Sequence, residues 1–195
     1  MRIEIVDSIE LKVKKLDFNL ADSIEKILQY VPKEHMFRLS CILVADLPVH
    51  KSIPVGSQGA YFGERNKKGA HIELYFENIF PNSEDPDKFR EMLVMLQLSL
   101  ATTIFHEIGH HVQSIRTHGV AQKRSEEYAD HYRDSLWNKF LCDNAQAIND
   151  CFQHLEDIAL SKGLRLDVIN RMRSGWTRDW EKARMSLEPS LMGSR

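Results

Sequence analysis

Apolar and polar residues alternate along much of the first half of the chain, whereas the second half shows helical spacing. The alternation predicts strands over residues 2–6 and 9–18, and the β-branched, apolar composition of residues 36–46 predicts a buried strand. Residues 20–31 repeat apolar side chains at intervals of three and four. We therefore expect an amphipathic helix there, and Pro32 ends it.

A β-hairpin is predicted after a loop that is rich in proline and glycine. Its two strands are residues 59–64 and residues 70–80, which flank a turn-like basic segment. Even-numbered positions of the second strand carry apolar residues such as Ile72 and Leu74, and odd-numbered positions, Tyr75 among them, carry polar or ionisable residues. This alternation predicts one buried face and one solvated face.

A long helix is predicted to follow the hairpin. Asp85 or Asp87 can cap its start, and Pro86 suits its first turn. Apolar residues then form a broad side over roughly 30 residues, which span ~45–50 Å at 1.5 Å per residue. A helix of that length must cross the whole domain.

The rest of the chain is predicted to be helical. Residues 123–141 form one helical stretch, and two or three shorter helices follow from Asn144, with breaks near Gly163 and Gly175. The length fits one domain over residues 1–195. The predicted fold class is α+β, with a small twisted mixed sheet, a long helix and a mainly helical C-terminal half.

Composition narrows the expected partners and location. The net charge is −2 and no basic field is evident, so we expect neither nucleic acid nor a membrane as partner. The apolar runs are short and interrupted compared with the ~20 residues of a membrane span, and the N-terminus lacks the features of a signal peptide. Three cysteines without metal-like pairing favour reduced thiols, which predicts a cytoplasmic location.

Candidate chemistry lies within the long predicted helix. His106, Glu107 and His110 form the pattern His-Glu-x-x-His. Residues four apart share one helix face, so the two imidazoles can converge on one Zn²⁺. Glu107 is offset by one position, where a carboxylate can take a proton from metal-activated water as a general base.

A third ligand is available on the next predicted helix. A catalytic zinc takes three protein ligands and keeps one open position. Glu126 can be the third ligand, and Asp130, four residues later on the same face, can accept the outer ring N–H of a ligating histidine. Glu127 is the alternative ligand, although its alignment with Asp130 is poorer.

Two neighbours of the motif have other predicted roles. His111 points about 100° away from His110 on a helix, so a surface or packing role is expected rather than ligation. Gly109 costs roughly 1 kcal/mol against alanine inside a helix. Its missing side chain can let a strand or substrate approach, and tight packing would explain it equally well.

These motifs resemble a known family. The segment "HEIGH" followed by "EEYAD" resembles the gluzincin branch of zinc metallopeptidases, and "GAYFG … HIELYFENIF … HEIGHHV" is similar to its small single-domain members and to ImmA/IrrE-type proteases. The resemblance covers roughly residues 59–131 and implies a zincin-like fold. It also implies that residues 70–79 form a sheet edge that aligns an extended peptide. The later Tyr or His that stabilises the oxyanion in gluzincins has no matching motif here.

The expected function is therefore zinc-dependent peptide-bond hydrolysis in a peptide or protein substrate. Zn²⁺ on His106, His110 and Glu126 would activate water, with Glu107 as the general base. The alternative is a zinc-binding regulatory or interaction protein that has the protease fold and little or no turnover. A metal-free helical scaffold is a third hypothesis.

Overall fold

A four-stranded sheet and its helices make up the N-terminal part of the protein in the computed structural model. The structure describes residues 1–64, 69–81, 85–117 and 122–187. The chain divides into two compact units, Met1–Asp134 and Ser135–Arg195. The single domain expected over residues 1–195 stays a prediction.

The sheet is mixed and contains both predicted hairpin strands, although the second ends at Tyr75 rather than at residue 80. Its strands are β1 (Arg2–Ile5), β2 (Leu39–Ala45), β3 (Gly59–Phe62) and β4 (Ala70–Tyr75), in the order β1-β2-β4-β3. β1 pairs with β2 and β2 with β4 in parallel, whereas β3 pairs with β4 antiparallel. The protein is thus α+β with a small mixed sheet, as the sequence predicts.

The position of β4 differs from the expectation. β4 is a central strand, because it pairs with β2 on one side and with β3 on the other. The prediction that residues 70–79 form the sheet edge is therefore wrong. The edge strand on this side is β3, and the sequence could not reveal this because strand order depends on pairing between distant segments.

The two faces of β4 follow the predicted alternation except at its end. Ile72 and Leu74 are fully buried, and His71 and Glu73 are half-buried. Tyr75, expected to face solvent, is fully buried instead, and its hydroxyl donates to a Glu73 carboxylate oxygen at 2.9 Å. Burial, reinforced by this hydrogen bond, raises the pKa of the Tyr75 hydroxyl well above its ordinary value.

Short helices accompany these strands, three of them between β1 and β2 and one after β4. They are α1 (Asp7–Lys15), α2 (Leu20–Leu28), a 3₁₀ helix (Lys33–Met36) and α3 (Phe76–Ile79). α2 confirms the predicted amphipathic helix, but the strand predicted over residues 9–18 is wrong, because most of it lies in α1. Ile9 and Val13, four apart, are buried while Leu11 is exposed, so the apolar positions obey helical rather than strand spacing.

The long predicted helix is α4, Pro86–Arg116, with 31 residues. The Asp85 side chain caps it by accepting the backbone N–H groups of Asp87 and Lys88, both at 3.2 Å. Pro86 takes the first helical position, where its missing N–H costs no hydrogen bond. Buried residues recur from Phe89 to Gln113, so one side of the helix lies in the core.

α4 also meets a simple test for a membrane span. Among the described helices, it is long and apolar enough by length and composition to cross a membrane, with half of its apolar window buried inside the protein. The expectation that a membrane is not a partner stays a prediction. A buried core helix passes the same test, so the cytoplasmic location stays a prediction.

The helical C-terminal half comprises α5 (Gln122–Asp143), α6 (Ala145–Ser161) and α7 (Asp167–Leu187). Gly163 adopts a left-handed φ of 63° between α6 and α7, which confirms the predicted break. The break predicted at Gly175 is wrong, because α7 continues through it. α6 and α7 are joined by the ion pair of Arg173 and Glu156 at 2.5 Å.

Gly109 of α4 allows close contact with α5. A Cβ added at Gly109 would lie 2.7 Å from the Cα and 3.1 Å from the carbonyl oxygen of Ala129. These are main-chain atoms, so they cannot move unless the helix moves. Ala129 is itself fully buried. Tight helix packing therefore explains Gly109, and the close neighbour is a helix rather than a strand or a substrate.

Gly109→Ala should destabilise the protein although alanine is the better helix former. Alanine gains about 1 kcal/mol in an open helix position, but overpacking against a backbone costs about 1–3 kcal/mol. We expect a net loss in the free energy of unfolding, measured by chemical denaturation. Gly175→Ala is the matched control, because nothing lies within 4 Å of its added Cβ. Equal stability of the two variants would contradict the packing argument.

Candidate metal centre

Three predicted ligands converge at one point between α4 and α5. The Nε2 atoms of His106 and His110 are 3.1 Å apart, and the Glu126 Oε2 atom lies 3.4 Å and 3.5 Å from them. All the candidate ligand atoms lie within 4.8 Å of one another. The described residues thus contain a group that could hold a metal ion.

The outer ring nitrogen of His106, which is Nδ1 and does not face the other candidate ligands, has the carboxylate partner that the sequence predicts. His106 Nδ1 lies 3.2 Å from Asp130 Oδ1. The same oxygen accepts a hydrogen bond from Arg133 Nη1 at 2.9 Å, and Arg133 also donates to Asp134 through Nε and Nη2. The Asp130 carboxylate is therefore held between a histidine and a guanidinium.

The outer nitrogen of His110 has a partner that we did not anticipate. His110 Nδ1 lies 2.9 Å from the Ser125 hydroxyl oxygen. The available signal was position: Ser125 directly precedes Glu126 at the start of the second motif. A serine near a helix start usually serves as a cap, so the residue type alone did not indicate this contact.

The structure distinguishes between the two candidate glutamates. Glu126 belongs to the group with both histidines, whereas Glu127 does not and is exposed. Adjacent residues on a helix point about 100° apart, so only one of them can face α4. The contact of Ala129 with Gly109 is consistent with this, because Ala129 is three residues from Glu126 and lies on the same side.

The donor set suits a transition-metal ion. Two imidazoles and one carboxylate are a ligand set of catalytic zinc sites, which keep a fourth position open. Ligation needs neutral imidazole, and burial, followed by the charge of His106, lowers the pKa of His110 below its ordinary value. With the outer nitrogens facing Asp130 and Ser125, both Nε2 atoms are directed at the same point. These residues therefore fit a zinc ion.

Glu107 is buried beside this group, with 7% of its surface exposed. Burial, followed by repulsion from Glu126, raises the pKa of the Glu107 carboxyl to about 8, and the main-chain N–H of Tyr61 acts in the opposite direction. A cation held by the histidines would favour the ionised form. Without a cation, the Glu107 carboxyl therefore holds its proton more readily than an exposed glutamate does.

The edge strand packs directly over Glu107. A Cβ added at Gly59 would lie 2.8 Å from Thr103 Cγ2 and 3.1 Å from Glu107 Cγ. A side chain at this position would force Thr103 or β3 to shift. The edge strand beside the candidate centre is therefore β3 rather than β4.

A groove of about 1080 Å³ borders the three ligands. One wall is the loop from Ser52 to Gln58 and the first residues of β3, and the other is the exposed side of α4 from Thr102 to Thr117. Ser125, Glu126 and Arg133 of α5 complete the lining. Glu107 is also among the lining residues, so it and the three candidate ligands border one space.

The ring-bearing residues close to Glu126 in the sequence, Tyr128, His131 and Tyr132, are not among the described residues that line the groove. Arg116 donates to the Tyr128 hydroxyl at 3.2 Å, and the Tyr132 hydroxyl lies 2.9 Å from His35 Nδ1. Neither tyrosine is among the described residues that line the groove. His131 is exposed and is likewise not part of that lining.

His111 has the packing role that the sequence predicts. It is 1% exposed, and its Nε2 donates to the Phe37 carbonyl oxygen at 2.8 Å. Its Nδ1 lies 3.4 Å from the hydroxyl of Tyr61, which does line the groove. His111 thus connects α4 with the edge strand β3.

Comparison with known proteins adds no identification. No family model, no curated protein and no solved structure matches the chain. The resemblance to gluzincins therefore depends on the motif residues and on their geometry.

Removal of a ligand should abolish metal binding. We expect about one zinc per chain in the wild type and loss of it in His106→Ala, His110→Ala and Glu126→Ala. Asp130→Ala should weaken affinity about 10–100-fold, because it only orients His106. Elemental analysis and chelator competition measure both effects. Glu127→Ala is the matched control for Glu126→Ala, and full zinc occupancy in His110→Ala would contradict the site.

Proposed function

We propose that the protein is a zincin-like metallopeptidase of the gluzincin type, which hydrolyses peptide bonds with zinc as cofactor. The observation that supports this most strongly is the convergence of His106, His110 and Glu126 beside a groove that Glu107 also lines. A structural metal site is closed by four protein ligands. A three-ligand group at the wall of a groove suits a catalytic role instead.

In this proposal, the ligand residues bind the ion through defined atoms. His106 and His110 use Nε2, and Glu126 uses its carboxylate. Asp130 holds the outer nitrogen of His106, which fixes the ring orientation. When bound, zinc supplies Lewis acidity, which polarises a carbonyl group and lowers the pKa of water towards ~7.

Glu107 performs the proton transfers. Its carboxylate accepts a proton from the attacking water and later gives a proton to the nitrogen of the leaving amine. Both transfers favour a group with a pKa near the working pH. Burial under Gly59 and beside Glu126 provides that environment.

The edge strand β3 offers the substrate a main-chain partner. The Tyr75 N–H donates to the Gln58 carbonyl oxygen at 2.8 Å, and hydrogen-bonded pairs alternate along an antiparallel ladder. The main-chain groups of Gly59 and the carbonyl group of Tyr61 therefore point towards the free edge, whereas the Tyr61 N–H is engaged with the Glu107 carboxyl. An extended peptide could add to this edge as a further strand.

The groove length suits an extended substrate. The stretch of α4 from Thr102 to Thr117 lines it, which corresponds to roughly 22 Å at 1.5 Å per residue. A strand rises about 3.3 Å per residue, so the groove accommodates roughly six or seven residues of extended chain. We propose flexible peptides or unfolded protein segments as the substrate class.

One observation favours the alternative function, a metal-binding regulatory protein with little turnover. Two strong hydrogen-bond donors among the described groove residues are already engaged. The Tyr61 hydroxyl contacts His111, and Arg133 is paired with Asp130 and Asp134. An oxyanion would need one of these groups to change partner.

Glu107→Gln separates the two functions. Glutamine has nearly the same size but cannot accept a proton at neutral pH. Zinc content should remain unchanged, and the free energy of unfolding should not fall, because a buried carboxyl is replaced by a neutral amide. Cleavage in a peptide-library digest should decrease about 10²–10⁴-fold.

Glu127→Gln is the matched control, since it makes the same replacement at an exposed position of α5. It should cleave as fast as the wild type. Equal cleavage by Glu107→Gln at equal zinc content would contradict the mechanism. A wild type that binds zinc and cleaves nothing in a broad library would favour the regulatory function.

A further inference from the structure

The two candidate histidine ligands are held by different kinds of partner. His106 faces the Asp130 carboxylate through Nδ1, whereas His110 faces the uncharged Ser125 hydroxyl through Nδ1, at 2.9 Å. We propose that Ser125 is a positioning residue that fixes the tautomer and ring orientation of His110. The inference depends on the proposed metal site and assigns a residue to it that the motif does not contain.

The chemistry of imidazole gives this contact two possible forms. When Nδ1 carries the proton, it donates to the Ser125 oxygen, and the lone pair on Nε2 faces His106 Nε2 and Glu126 Oε2. When the serine hydroxyl donates to Nδ1, the proton is on Nε2 and points into the cluster. Only the first form can ligate, so ligation requires Ser125 to act as the acceptor.

Burial makes this acceptor difficult to replace. The His110 side chain is 14% exposed. An Nδ1–H group without a partner in such a place loses its hydration without compensation. The ring would then rotate or favour the other tautomer, and both changes remove Nε2 from the ligand position.

Helix geometry explains how Ser125 can face His110 Nδ1 while Glu126 faces the proposed metal position. Ser125 and Glu126 are consecutive in α5, so their side chains diverge by about 100°. Glu126 reaches the inner nitrogens and Ser125 the outer nitrogen of His110. The contact of Ala129 with Gly109 one turn later fixes the distance between the helices.

Ser125→Thr and Ser125→Val test this role as a matched pair. Threonine and valine share the β-branched shape and differ in whether a hydroxyl is present. We expect Ser125→Thr to bind zinc about as tightly as the wild type, and Ser125→Val to bind it about 10–100-fold more weakly in chelator competition. Unfolding of the metal-free variants should be similar, which separates positioning from folding.

A second readout reports the hydrogen bond directly. In zinc-loaded wild type and Ser125→Thr, the Nδ1–H proton of His110 should give a slowly exchanging NMR signal, which should exchange faster in Ser125→Val. Equal zinc affinity of the two variants would overturn the role of Ser125 while leaving the proposed function intact. Weak binding by both would assign the effect to packing and would also overturn it. A wild type that binds no zinc would overturn the metal site and this inference together.

Discussion

The close contact of α4 with α5 at Gly109 and Ala129 is the constraint on which the candidate site depends. An added Cβ would come within 2.7 Å of the partner backbone, so the two helices meet without a side chain between them at that level. Within one turn of this contact lie His110 on one helix and Glu126 and Asp130 on the other. Because carboxylate side chains are short, a wider separation would remove them from the histidines. The cost of glycine inside a helix, about 1 kcal/mol, is offset by this packing.

A second glycine contact relates the sheet to the same helix. Gly59 allows the edge strand β3 to lie on α4 above Glu107. His111 of α4 contacts the same strand through the Tyr61 hydroxyl. This close contact of β3 with α4 buries the Glu107 carboxyl, and the burial is the main cause of its raised pKa. The position of the edge strand and the environment of Glu107 are thus set by one packing contact, so a shift of β3 would alter both.

The local features of this protein could be predicted from its sequence, and the non-local ones could not. His106, Glu107 and His110 were predictable because i,i+4 geometry belongs to any helix. The order of strands was not, since β4 became central only by pairing with β2, which is distant in the chain. α1 was mistaken for a strand because an apolar pattern over so few residues fits both periods. Ser125 was missed because its contact depends on how two helices pack.

The charges of the site connect metal binding with the stability of the fold. Glu126 raises the pKa of Glu107 by repulsion, and Asp130 adds a further carboxylate that Arg133 partly neutralises. A bound dication would relieve this repulsion, so it would stabilise the folded state by mass action. The side chains of Glu126 and Asp130 are 52% and 50% exposed, so solvent screens much of their charge. Solvent therefore reduces the repulsion between these carboxylates, and a bound dication would relieve what remains.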